Sequence, residues 1–89
     1  MELWTEIRTA MIVGRLGTVR AAAHELGVHR STATRHIDNL EDRLGTKLFL
    51  RHKHGYTPTQ DGLALQSAAE GAGTLIEEFV TRTHGSSTV

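Results

Sequence analysis

The residues best suited to chemistry in this chain lie between Arg30 and Asp38. On a helix that advances about 100° per residue, Ser31, Thr34, Arg35 and Asp38 share a face away from the apolar positions Ala33, Ile37, Leu40 and Leu44. Arg30 stands at the N-terminal edge of that face. A merely solvated helix face is more often built from Glu and Lys pairs. This one is short, polar and hydroxyl-rich, with two arginines. Short hydroxyls let a helix come close to base edges, and Arg reaches guanine O6 and N7 or a phosphate. For Arg30 and Arg35, residue type leaves base contact and phosphate contact equally open. Asp38 would repel phosphate, so it is expected past the groove or paired with an arginine.

Two other chemistries find less support. His52-x-His54 puts two imidazoles on one side of an extended segment, but no Cys and no nearby carboxylate completes a tetrahedral metal set. Ser31, Ser67 and the serines near the C-terminus have no base and orienting acid in a recognisable arrangement. No catalytic residue, metal or cofactor is expected, and the chain does not read as an enzyme.

The elements that must position the 30–38 face can be read from periodicity and punctuation. Leu3, Ile7, Ala10, Met11 and Gly14, flanked by Trp4 and Val13, predict a first helix over 3–14, ended by Arg15-Leu16-Gly17. Thr18 is a suitable N-cap for a second helix that turns Val19, Ala22, Ala23 and Leu26 inward. Gly27 stops it, and Val28 is expected to plug the core within the turn. A helix, a tight turn and a second helix make a helix-turn-helix, whose later helix lies in the DNA major groove. Residues 47–51 and 56–58 predict two strands around the turn His52-Lys53-His54-Gly55, a basic wing. Thr59 then caps a last helix expected to run to about Arg82. Its positions Leu65, Ala68, Ala72, Leu75 and Phe79 recur like a heptad seam, widened by Leu63, Ala69, Ile76 and Val80. Such a stripe exceeds what one short helix covers and predicts a homodimer.

Composition agrees once its distribution is considered. The chain has 89 residues, no cysteine and a formal net charge of zero. Yet residues 15–57 carry eight basic against four acidic side chains, and 58–89 one against four. A basic centre beside an acidic tail is the asymmetry of a nucleic-acid-binding head on a neutral protein. No apolar run approaches the ~18 residues of a membrane span, and no signal sequence opens the chain, so a cytoplasmic protein is expected.

The motifs Gly17-Thr18-Val19, Arg20-Ala-Ala-Ala-His-Glu-Leu-Gly-Val28, Leu40-Glu41-Asp-Arg-Leu-Gly45-Thr-Lys-Leu48-Phe49-Leu50-Arg51 and Thr59-Gln60-Asp61-Gly62 occur in order. With that spacing, Trp4 to Phe79 resembles the N-terminal part of the LysR-type transcriptional regulators. The resemblance implies a mainly α fold: a winged helix-turn-helix of three helices and a two-stranded β-wing, then a long dimerisation helix. It implies a DNA-binding domain over 1–58 and a linker helix over 59–83; residues 84–89 carry no structural signal and are expected to form a disordered tail. It also implies sequence-specific binding of double-stranded DNA and transcriptional regulation as a homodimer. Thr18 and Arg20 then correspond to phosphate contacts, Arg30, Ser31, Thr32, Thr34 and Arg35 to recognition-helix contacts, and Arg51, Lys53 and His54 to wing contacts. The chain departs from the family pattern at Arg30, usually Gln, at His29, usually a Ser cap, at His54, usually Arg, and at Ala10, usually Phe. Neutral His54 would weaken a minor-groove contact above pH ~6.5. The family's effector-binding domain is absent from this chain. The rival reading is a short protein that pairs with a full-length relative instead of reading DNA.

Overall fold

Thr18 adopts an extended backbone, and its hydroxyl accepts the Ala21 N–H at 3.0 Å, which starts α2 (Val19–Leu26) as the sequence predicts. The structure is a computed structural model that describes residues 3–87. In chain order α1 (Leu3–Leu16), α2 and α3 (Arg30–Leu44) precede β1 (Phe49–His52), β2 (Gly55–Pro58) and α4 (Gln60–Ser87). The strands form an antiparallel hairpin in which Arg51 lies opposite Tyr56 and His52 opposite Gly55. This is the mainly α winged helix-turn-helix expected, with both strands shifted from the predicted bounds and Lys53-His54 left as the turn.

The core is a three-helix contact closed by the start of the wing. Val13, Ala22, Ala33, Ile37 and Leu40 are fully buried, and Leu48 and Phe49 join them. Small residues at Ala22 and Ala33 let α2 and α3 approach across the turn, where dense packing leaves no space for longer chains.

Four expectations need correction. On α1 the buried face runs through Glu6, Thr9, Ala10 and Val13, while Trp4 is 65% exposed and Leu3 lies at the rim. Placing Thr9 and Glu6 inward against α3 turns Trp4 out. On α3 Glu41 is buried and Leu44 is exposed, because the carboxylate is held by the following backbone. Val28 is exposed at the rim, since its N–H bonds the Ala23 carbonyl at 3.0 Å in a turn that carries the side chain away from the core. Finally, α4 continues to Ser87, past Arg82 and into the stretch expected to be disordered. Once a helix is formed, each further residue adds a hydrogen bond without a new nucleation cost. The last residues of that expected tail, 88–89, lie outside the described residues.

The place of the family's usual Phe, at Ala10, is closed from the side. Leu65 and Gln66 of α4 line a small void with Ala10, Met11, Leu48, Phe49 and Gly62. Gly62 permits that approach, because a Cβ there would fall 2.1 Å from the Leu48 carbonyl oxygen. Thr59 fixes the same corner: its hydroxyl donates to the Lys47 carbonyl at 2.7 Å and accepts the Gly62 N–H at 3.1 Å.

Candidate nucleic-acid interface

The exposed face of α3 holds Arg30, Ser31, Arg35, Asp38 and Asn39, with Thr32 and Thr34 half-buried on its flanks. Among the described residues neither Arg30 nor Arg35 has an ion-pair or hydrogen-bond partner. Their guanidiniums therefore remain available to an outside anion or acceptor. Asn39, one turn beyond Arg35 on the same face, went unnoticed in the sequence. An Asn at this spacing presents the donor and acceptor pair that matches an adenine edge.

Arg51 stands apart from this set. Its Nη2 donates to Asp38 Oδ1 at 2.6 Å and to Glu41 Oε1 at 2.9 Å. The guanidinium also lies over the Tyr56 ring, 5.1 Å from its centroid. Partial burial is the largest influence on its pKa and lowers it. The Asp38 hydrogen bond and the charges of Tyr56, Asp38 and Glu41 outweigh that, and hold it above the ordinary arginine value. The side chain expected at the wing as a contact is thus a strut between wing and α3. It also gives Asp38 an arginine partner, one of the two placements expected for that carboxylate.

Glu41 completes the strut. Its Oε2 accepts the Leu48 N–H at 2.8 Å and the Phe49 N–H at 3.3 Å, while Oε1 takes Arg51 and lies 3.8 Å from Lys47 Nζ. A buried carboxylate is tolerable when it is hydrogen-bonded and charge-paired in this way. Aromatic packing adds to the junction, with Phe49 and Tyr56 ring centroids 5.8 Å apart. At its other end the wing docks on the turn between α1 and α2. The Tyr56 N–H donates to the Gly17 carbonyl at 2.8 Å, and Gly55, at φ 148°, sits so close that a Cβ would lie 2.3 Å from that oxygen. Lys53, His54 and Thr18 are thereby held at one end of the head, with Lys53 and His54 exposed.

Arg20 is exposed on α2 one turn before His24, and both line a groove with Ala23, Val28, His29 and Arg30. The structure thus brings Arg20 and Arg30 together across the helix-turn-helix turn. It also adds His24 and His29, which no sequence motif marks as contacts. His29 makes no side-chain cap bond to α3, in keeping with its poor fit as a cap. Among the described residues no cluster of metal-ligating side chains forms, and no helix is long and apolar enough to cross a membrane.

The seam on α4 divides in two. Leu65 packs on the head core, so its place in the expected dimer seam is taken by an intramolecular contact. Ala68 is exposed and Ala72 half-buried. Leu75 and Phe79 are 67% and 63% exposed, with Ile76 and Val80 exposed beside them.

Comparison with known proteins agrees with this architecture. Residues 4–63 match the family described as "Bacterial regulatory helix-turn-helix protein, lysR family". The chain is 40% identical over 73 residues to the uncharacterized HTH-type transcriptional regulator YusT of Bacillus subtilis, covering 82% of this chain and 25% of that protein. It is 41% identical over 64 residues to the HTH-type transcriptional regulator CbbR of Sinorhizobium medicae, covering 72% of this chain and 20% of that protein. The chain therefore spans a quarter or less of the length of these curated relatives. Among solved structures, the CbnR_DBD–DNA complex superposes with a TM-score of 0.82 at 28% identity, covering 98% of this chain and 99% of that one. The BenM_DBD/benA site 1 DNA complex gives 0.82 at 26% identity, covering 94% and 96%.

Proposed function

The chain belongs to the LysR family of bacterial regulatory helix-turn-helix proteins, and we propose that it binds double-stranded DNA as a homodimer and regulates transcription. Each α3 enters a major groove, with Arg30, Ser31, Thr32, Thr34 and Arg35 at base edges or phosphates. Thr18 and Arg20 meet the backbone at the start of α2. Lys53 and His54 extend the contact from the wing tip, and Arg51 holds that tip in place from behind. The observation that carries this reading is that Arg30 and Arg35 have no partner among the described residues and stand on an exposed helix face, beside a wing whose own arginine is tied down. The two solved DNA complexes named above, similar over nearly the whole chain, support it.

The dimer uses the outer seam: Ala68, Ala72, Leu75 and Phe79 of one copy against those of a second, with Ile76 and Val80 beside them. The domain division follows, with the DNA-binding head over 1–58 and the linker helix over 59–83, although the first turns of α4 pack as part of the head. A cytoplasmic location fits a DNA-binding regulator.

Gel-shift binding to random-sequence duplex, repeated across salt, tests the reading. The wild-type chain is expected to shift DNA at low salt and to lose affinity steeply as salt rises, because phosphate neutralisation releases counterions. Arg35→Ala is expected to weaken binding by about 1–3 kcal/mol if Arg35 pairs with a base. No shift at low salt, or binding untouched by Arg30→Ala and Arg35→Ala together, would show that this face does not read DNA.

A further inference from the structure

We propose that Arg20, His24, His29 and Arg30 form a clamp for one stretch of DNA phosphodiester, and that protonation of the two imidazoles tightens it. The inference rests on the DNA-binding reading above. It adds a site and a dependence on pH that the reading does not contain.

The clamp is a product of local geometry. Arg20 and His24 are four residues apart on α2 and therefore lie one above the other on the same face. Gly27 ends α2 in the left-handed conformation, and its N–H bonds back to the His24 carbonyl at 3.3 Å. That reversal brings His29 and Arg30 alongside, so that all four side chains line one open groove with Ala23 and Val28. All four are exposed. The groove borders the α3 face that carries Ser31 and Arg35.

Charge decides what fits there. Among the described residues that line the groove, none is a carboxylate. Glu25, next to His24 on α2, lines the adjoining groove with Arg20 and His24, but it is ion-paired to Arg15 of α1. Arg30 faces the histidines from α3. Lys53 and His54 lie on the wing docked at the Thr18 end of α2. Among the described residues that line these two grooves, every charge outside the Glu25–Arg15 pair is therefore basic. Two permanent guanidiniums repel a metal cation between the histidines and attract an oxyanion. Phosphate suits them because Arg offers forked donors to its oxygens, and a protonated imidazole adds a charged donor from each ring. Protonation of both rings raises the clamp from the two positive charges of its arginines to four.

The test measures affinity of the full chain for a duplex across pH, from about 7.5 to 5.5, at constant ionic strength, for wild type and for His24→Gln/His29→Gln. Gln keeps a polar side chain of similar reach that does not titrate. Wild-type affinity is expected to rise about tenfold on acidification. Its salt slope is expected to steepen by about 0.9 for each added phosphate contact. The double variant is expected to lose most of that rise and the added slope. A His52→Gln/His54→Gln variant, run in parallel, is expected to keep the larger share. Thermal melting at each pH shows whether the variants remain folded.

The clamp is overturned if wild-type affinity is flat with pH. It is equally overturned if the His24→Gln/His29→Gln chain, folded and binding, retains the full rise. Absence of DNA binding at every pH and at low salt would instead overturn the DNA-binding reading itself, and the clamp with it.

Discussion

Ile37 and Leu40, at the centre of the head, are fully buried, whereas Leu75 and Phe79, on the outer half of α4, are about two-thirds exposed. The residue types are alike and the surroundings are opposite. In the head, three helices and the wing junction cover one another. Along α4, the head reaches only the first turns, where Leu65 enters the core and Gln66 lies 3.0 Å from the place of a Gly14 Cβ. Beyond that Ala69, Ala72 and Gly73 are still half-buried, and Leu75, Ile76, Phe79 and Val80 stand exposed. The contrast separates two tasks. The head has completed its core and presents a polar face on α3, while the outer half of α4 leaves an apolar surface uncovered, which on the reading proposed above a second copy covers.

The sharpest way to break the head's side of that contrast is Glu41→Ala. It strips the acceptor from the Leu48 and Phe49 N–H groups and one carboxylate from Arg51. Leaving the buried Leu48 and Phe49 N–H groups without an acceptor costs about 1–3 kcal/mol each. Denaturant unfolding of the variant is expected to show a loss of that size, and a loss near zero would mean the wing is held by packing alone.

The α4 side is broken by Leu75→Asp. A monomeric mass by sedimentation is expected, with the head still folded by circular dichroism. Affinity for a two-half-site duplex is expected to fall by about 100-fold or more, because the second head no longer binds as an intramolecular partner. A dimer that survives this change would place the interface elsewhere.

A smaller change is expected at Glu6. This carboxylate is fully buried, and among the described residues neither oxygen has a hydrogen-bond partner; the Arg43 Nε lies 3.8 Å away. Unlike Glu41, it occupies the core without satisfying any backbone group. Glu6→Leu is expected to raise unfolding stability by roughly 1–2 kcal/mol, since an apolar side chain of similar volume replaces a buried carboxyl group that has no hydrogen bond and only the Arg43 guanidinium at 3.8 Å as an ion-pair partner. A strongly destabilised variant would reveal a partner that Glu6 needs.

The smallest effect is assigned to the cap. Thr18→Ala is expected to cost about 1 kcal/mol in thermal unfolding, and Thr18→Ser to recover most of it, because the hydroxyl oxygen carries the bond to Ala21. An equal loss in both variants would point to the Thr methyl group instead.

What was legible in the sequence was punctuation and apolar spacing. Thr18, Gly27, Thr59 and the strand–turn–strand of the wing were readable because caps and turns depend on neighbours a few residues away. The family motifs then ordered these pieces into one fold. What was not legible depends on distant partners. Periodicity treats polar residues as outward, so it missed the buried Glu6, Thr9, His36 and Glu41, although Thr9 Oγ1 lies 2.8 Å from His36 Nδ1 across the α1–α3 contact. It placed Leu44 inside where Glu41 took the space. Arg51 read as a free cation because its partners, Asp38 and Glu41, lie on a preceding helix. The groove that joins His24 to His29 exists only once the turn is folded.

The most direct test of the central proposal, a pair of identical heads spaced by α4, is selection of bound duplexes from a random library by the intact chain. A homodimer that reads DNA through α3 enriches two inverted copies of one short motif at a fixed separation, close to a whole number of helical turns. Enrichment of a single unrepeated motif would contradict the paired arrangement, and no enrichment at low salt would contradict DNA reading altogether.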